Sequence, residues 1–261
     1  MRKKMSAGLT TSFWRRDLTG PRFFTMAGLL ALALLASACL RGGLAFGQAP
    51  APLLEDDFTK DSSLNSSLWT DNSSFLDSLA AASSSPPASF VVPTLAFSQA
   101  GMKMTGLTQD FQTTGVQSVS TFTPPFTVLA WASASHGTAD PFEIFLASSD
   151  LSQFVTVTAN VSPTYDGMWA NAQNISQLWQ LGEQFQPTIS PTLGNVYRIL
   201  ITVDAQGVGS VTMENGSGKV SGSFFSLQPG TGPFYVVLGQ RIGLAKAESQ
   251  IAYWKYVSVV D

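Results

Sequence analysis

The chain has one cysteine, Cys39, and one histidine, His136. A single thiol forms no disulfide within the chain, so no internal staple holds the fold. A single imidazole rules out a histidine-rich metal site and argues against zinc. Charge is scarce as well, with Asp, Glu, Lys and Arg making up 12% of the residues. No long segment keeps the 3.6-residue apolar period of an amphipathic helix. There is no Gly-x-Ser-x-Gly elbow and no Asp-x-Asp-x-Asp-Gly loop, which removes the usual signatures of an α/β-hydrolase and of an EF-hand. No internal repeat is evident, which excludes a propeller or a solenoid.

What is present is concentrated first at the start. Arg2, Lys3, Lys4, Arg15, Arg16 and Arg22 precede an apolar run over 26–40, and a small, Ala/Pro-rich stretch over 48–52 follows it. A basic segment, a short apolar segment and a small-residue exit read as an export signal, so residues 1–49 are set apart from the fold. The apolar run is shorter than the roughly 20 residues a spanning helix needs. Two processing routes fit. Cys39 follows Leu35, Ala36, Ser37 and Ala38, which resembles a bacterial lipoprotein site where the thiol is acylated and anchors the protein to a membrane. The other route is ordinary cleavage after Ala38 or Gly47. Arg15 and Arg16 loosely resemble a twin-arginine signal, but the general secretion route is the plainer reading.

Charge splits at the same place. Residues 1–49 hold seven basic residues and one acid, a net of +6, whereas 50–261 hold seven basic residues and sixteen acids, a net of −9. An acidic domain repels phosphate backbones, so nucleic acid is excluded as a partner. About 210 residues suffice for one sizeable core.

Residues 50–261 read as one all-β domain. Short alternating or β-branched runs are separated by turn residues. Strands are predicted over 89–92, 101–105, 117–121, 126–133, 142–147, 154–159, 167–172, 197–203, 209–214, 218–225, 234–238 and 252–260. Turns at Asp204 to Gly207 and at Asn215 and Gly216 predict a three-strand meander over 196–225. The low-complexity stretch 79–87 reads as a loop, and His136 falls in a turn-like segment. Twelve short strands with no obvious helix predict a two-sheet antiparallel β-sandwich.

Several segments, in order, resemble the concanavalin A-like lectin/glucanase superfamily, a two-sheet jelly roll. Glu55, Asp56, Asp57 and Phe58, followed by Leu68 and Trp69, resemble its opening motif, in which the Phe and Trp enter the core. The runs 196–203, 233–239 and 256–260 resemble later strands. The resemblance implies that the two ends of the domain lie side by side. It also implies a fold shared by binders and enzymes, and fold alone does not choose between them.

Laminarinase-type hydrolases on this fold alternate three acids on one strand. The period of two puts them on one face, where retaining chemistry needs two carboxyls roughly 5 Å apart. The nearest match is Glu143, but Phe145 and Ala147 occupy the other same-face positions. The plainer reading of Glu143 is a strand carboxylate facing solvent or a groove. Relatives of the fold often bind Ca²⁺, and Asp56, Asp57, Asp140, Asp150 and Asp166 are candidate oxygen donors. Tyr165, Trp169 and Trp179 lie among Asp166, Asn171, Asn174 and Gln177, the mixture of aromatic faces and amides that suits a sugar. The competing reading makes Trp169 a core residue. Three functions remain: a non-catalytic module binding a glycan or cell-surface polysaccharide, a glycoside hydrolase or lyase with divergent acids, and a structural surface protein without a small ligand.

Overall fold

The structure is a computed structural model that describes residues 51–82, 89–108, 112–136, 142–161, 166–174, 196–214, 220–227, 232–241 and 251–261. The elements are β1 (Leu54–Asp56), β2 (Trp69–Thr70), α1 (Ser74–Ala82), β3 (Ser89–Phe90), β4 (Thr94–Ser98), β5 (Gly101–Thr105), β6 (Gln112–Ser118) and β7 (Phe126–His136). They continue with β8 (Phe142–Ser148), β9 (Gln153–Val161), β10 (Asp166–Asn174), β11 (Val196–Val203), β12 (Val208–Glu214), β13 (Val220–Ser226), β14 (Phe234–Arg241) and β15 (Ile251–Val260).

The strands form two sheets. The eight-stranded sheet runs β13-β12-β11-β7-β15-β5-β4, with β1 added beside β15. The seven-stranded sheet runs β10-β9-β8-β14-β6-β2, with β3 beside β6. Apart from the parallel β3–β6 pair, the ladders are antiparallel. The two ends of the domain do meet, with Leu54 opposite Val259 and Asp56 opposite Val257. The meander is also present, since β11, β12 and β13 are consecutive neighbours.

Alternation explains the core. On β7, Phe126, Val128, Ala130 and Ala132 are buried, and the residues between them are not. On β11, Tyr197, Ile199, Ile201 and Val203 do the same. These faces pack against Phe142, Ile144 and Leu146 of β8. One contact across the sheets is edge-on, Phe142 of β8 against Trp254 of β15, with centroids 5.2 Å apart. Phe58 and Trp69 enter this core as the resemblance implies, 6.0 Å apart. Gly101 makes the β4–β5 turn possible. Its φ of +115° disfavours other residues, and a Cβ there would fall 2.1 Å from the Trp254 carbonyl oxygen.

Each predicted strand overlaps an observed one, but four details differ. First, the loop expected from residue 79 begins inside a helix, α1. Nine residues are too few to show a helical period, and the Ala-rich end masks it. Ser73 caps the helix, with the Leu76 N–H donating to its Oγ at 3.1 Å. Gln117 then ties the cap to the sheet, accepting from Ser73 Oγ at 2.9 Å and from the Phe75 N–H at 3.2 Å. Second, β6 spans 112–118 rather than 117–121. It is buried on both faces although Thr113, Thr114, Gln117 and Ser118 are polar, so its composition hides it. Third, His136 is the last residue of β7 and not part of a turn, because β15 continues the ladder to Ile251 opposite it. Fourth, β1, β2 and β4 are two to five residues long and carry too little pattern to predict. Among the described residues no helix is long and apolar enough to cross a membrane.

Candidate functional site

The face of the seven-stranded sheet that points away from the core carries the residues singled out on β8. Strand β8 is buried at all seven positions. Phe142, Ile144 and Leu146 face the other sheet, so Glu143, Phe145 and Ala147 face outward. Glu143 is nevertheless completely buried, which corrects the expectation of a solvent-facing or groove-facing carboxylate. The covering layer is legible along the strand. Phe145 and Ala147 join Phe154 of β9, Val237 of β14, and Phe75 and Leu76 of α1 in a second apolar cluster. Phe75 meets Phe145 at 5.2 Å and Phe154 at 5.3 Å, both tilted.

Register places Glu143 in a row of partners. Thr158 lies opposite it on β9 and Gly239 on β14, and Gly115 of β6 lies opposite Gly239. Thr158 Oγ1 is buried with no hydrogen-bond partner among the described residues. Gly115 lets the helix approach, since a Cβ there would stand 2.8 Å from Leu76 Cδ1 and 2.6 Å from the Leu238 carbonyl oxygen. This row contains one carboxylate, a hydroxyl and two glycines.

The predicted aromatic and amide residues divide. Tyr165, Trp179, Gln177, Cys39 and Asp140 lie outside the described residues. Asp166, Trp169, Asn171 and Asn174 lie on β10, where the backbone alone is described. Trp169 is opposite Thr158 and Asn171 opposite Thr156, so both extend rows that contain β8. Asp166, opposite Val161, has the other strand parity. Thus β10 brings Trp169 and Asn171 into line with Glu143 and Phe145, while Asp166 is out of phase with them.

The candidate acids for a cation have separate surroundings. Asp57 pairs with Lys60 at 2.6 Å and accepts from Thr59, contacts that hold its carboxyl below the ordinary range. Asp150 is lowered by hydrogen bonds from the Ser148 hydroxyl at 2.7 Å and from the Ser152 N–H and hydroxyl. Asp56 points inward from β1 and accepts from Trp69 Nε1 at 2.8 Å, which ties the two sheets together. Burial pushes its carboxyl up to about 6, helped by the Asp61 carboxyl beside it, and the Trp69 bond opposes the rise. Among the described residues no three His, Cys, Asp or Glu side chains converge.

One set of residues escaped the sequence reading. Trp131 and Tyr256 meet, with tilted rings, on the outer face of the eight-stranded sheet. The signal was parity, because Trp131 stands with Thr127, Leu129 and Ser133 on the outward phase of a strand whose inward phase is Phe126, Val128, Ala130 and Ala132.

No protein-family model matches the chain, and no curated protein matches it in sequence. Solved structures do share its architecture. Lectin II from Ulex europaeus superposes with a TM-score of 0.50 at 12% identity, covering 80% of this chain and 99% of the lectin. The Crh5 transglycosylase superposes at 0.54 and 13% identity, covering 80% and 83%. A protein described among endo-acting O-glycanases of the human gut microbiota superposes at 0.53 and 11% identity, covering 81% and 99%. The chain has the concanavalin A-like jelly-roll fold, a two-sheet antiparallel β-sandwich.

Proposed function

We propose that this chain is an exported, non-catalytic protein that binds a glycan or a cell-surface polysaccharide through its β-sandwich. The carrying observation is the arrangement along β8. Glu143 is its one carboxylate, Phe145 and Ala147 hold the other same-face positions, and both lie in the apolar cluster with α1. Retaining hydrolysis needs a second carboxyl roughly 5 Å away to divide nucleophile from acid/base, and the row through Glu143 offers Thr158 and glycines instead. The binding half of the reading draws on the fold shared with a lectin and with glycan-active proteins. It also draws on Trp169 and Asn171, which β10 aligns with β8, and on the neighbouring Tyr165, Asp166 and Trp179 in sequence. Export rests on the charge-then-apolar layout of 1–49, with Cys39 as the candidate lipid anchor.

A glycan array with the purified protein, paired with reducing-sugar release from β-glucans, tests both halves. Binding without release is expected. Oligosaccharide release that Glu143→Gln abolishes would overturn the non-catalytic half, and an array with no bound glycan would overturn the binding half. Mass spectrometry of the protein from its native host tests export. A start at Cys39 with acyl mass or near Gln48 supports it, and an intact Met1 on a soluble cytoplasmic species ends it.

A further inference from the structure

Trp131 is, among the described residues, the one aromatic that ranks with the exposed large hydrophobics, at 43% exposure. It sits in the middle of the eight-stranded sheet, on β7 between β11 and β15. A tryptophan there belongs to neither apolar cluster, and a large part of its apolar surface stays in water. Its neighbours are ordered by register. Tyr256 of β15 lies directly opposite on one side, with the rings 5.5 Å apart and inclined at 48°. Arg198 of β11 lies opposite on the other side, and Glu214 of β12 lies opposite Arg198 at 3.9 Å. The Tyr256 hydroxyl donates to Glu55 Oε1 at 2.9 Å, which fixes its ring and brings β1 into the site.

We infer that the row Tyr256, Trp131, Arg198 and Glu214, with Glu55 at its end, is a carbohydrate-binding platform for a neutral glycan. It rests on the reading that this protein binds glycans, but it places a site on the opposite sheet from Trp169. The row crosses three inter-strand steps of about 4.8 Å, hence about 14 Å, the length of a short oligosaccharide. Two inclined rings offer apolar faces on which the C–H faces of successive pyranose rings stack. The polar atoms at both ends then meet the hydroxyl rim. Glu55 and Glu214 accept from hydroxyls, and the Arg198 guanidinium donates to them.

Charge selects the class of glycan. Arg198 and Glu214 offset one another, and so do Lys60 and Asp57 beside Glu55, paired at 2.6 Å, which leaves Glu55 as the net charge of the row. A sulfated or uronic polymer meets two carboxylates and one guanidinium on a domain of net charge −9. A neutral polyhydroxylated chain uses both signs as hydrogen-bonding groups and is repelled by neither.

The test uses the full-length protein, a soluble neutral β-glucan and a glycan array carrying neutral and acidic chains. Binding is read by affinity electrophoresis and calorimetry for wild type, Trp131→Ala, Trp131→Tyr, Glu55→Gln, Arg198→Ala and Trp169→Ala. The expected result is binding to neutral chains that falls at least tenfold in Trp131→Ala and two- to fivefold in Glu55→Gln and Arg198→Ala. Trp131→Tyr, which keeps a stacking face, should retain most of it and guards against a folding defect in the alanine variant. Trp169→Ala, on the other sheet, is the comparison that tells the two faces apart. If Trp131→Ala binds like wild type while Trp169→Ala does not, the platform is wrong and the functional reading survives. If wild type binds no neutral glycan, this inference fails, and binding confined to acidic chains leaves only the broader reading. A wild-type dimer in sedimentation that Trp131→Ala dissociates, without glycan binding, would make the face a self-association surface and overturn the inference.

Discussion

The two outer faces of this sandwich are built from the same strand period and end in opposite states. On the seven-stranded sheet the outward residues Glu143, Phe145, Ala147, Phe154, Thr158 and Val237 are buried, and α1 lays Phe75 and Leu76 over part of them. On the eight-stranded sheet Trp131, Val196 and Val208 stand exposed. A sheet with one solvated face alternates in burial, as β11 does, whereas a sheet covered on both sides does not, as β8 shows. The difference teaches where to look for function. Side chains sealed under a helix stabilise the fold, and side chains left in water on a rigid sheet are free to meet a ligand.

Removing the strand that both faces depend on has the largest expected effect. Strand β15 lies between β7 on one side and β1 and β5 on the other, and its Trp254 crosses to Phe142. Deleting residues 254–261 opens the eight-stranded sheet at its middle and uncovers the core. The truncated protein should show no cooperative thermal transition by circular dichroism. A retained transition would mean that the sandwich closes without β15.

Breaking the seal on one face comes next. Phe75→Ala removes a ring that touches both Phe145 and Phe154. The cost should be about 3–5 kcal/mol in urea unfolding, the range for deleting a buried phenylalanine. The same substitution should leave glycan binding through Trp131 unchanged, because the helix lies on the other sheet. A loss below 1 kcal/mol would show that α1 is only loosely applied.

These two faces also mark what the sequence made legible. Inward positions on β7 and β11 alternate cleanly with apolar residues, so strands and the meander were readable, and the resemblance supplied the pairing of the ends. The helix was not, because nine residues carry about two and a half turns, and Ala80, Ala81 and Ala82 run into serines and prolines. Without the helix, the burial of Phe145 and Ala147 under apolar cover was invisible. Glu143 likewise looked like a surface acid, since a carboxylate on a strand is usually one. Strand β6 was misplaced because Thr113, Thr114 and Gln117 are polar yet buried, a decision made by tertiary packing rather than by propensity. Trp131 was readable by parity, but attention to amides near Trp169 drew the site elsewhere.

Between the faces, a polar contact crosses the apolar core at a carboxyl whose cost of burial depends on pH. Asp56 of β1 accepts from Trp69 of β2, and burial raises its carboxyl to about 6 from the ordinary 3.8. A carboxyl raised in the folded state binds its proton more tightly there than when unfolded. Its stabilising contribution is therefore complete below about pH 3.8 and is lost as pH rises through about 6. The size is about 3 kcal/mol. Asp56→Asn keeps an acceptor for Trp69 without the charge. It should match wild type near pH 4, exceed it in stability at pH 7, and flatten the slope between. A variant less stable than wild type at pH 7 would show that the ionised carboxylate is favoured in the fold.

The smallest expected effect on stability falls on the open face, and its smallness is the point. Trp131→Ala removes a large side chain that is 43% exposed, lies outside both apolar clusters and meets the Tyr256 ring. Surface substitutions of this kind change stability by about 0.5 kcal/mol or less. Loss of the ring contact adds about 0.5–1.5 kcal/mol, the usual worth of an aromatic pair beyond its buried area. Tyr256 keeps its hydrogen bond to Glu55, so its ring stays fixed without Trp131. Urea unfolding should thus place Trp131→Ala within about 2 kcal/mol of wild type. A tryptophan that costs the fold so little to remove, yet sits at the centre of a sheet face, is what the glycan platform inferred for this face requires. A loss near the 3–5 kcal/mol of the Phe75 substitution would instead make the two faces alike, with Trp131 a structural residue.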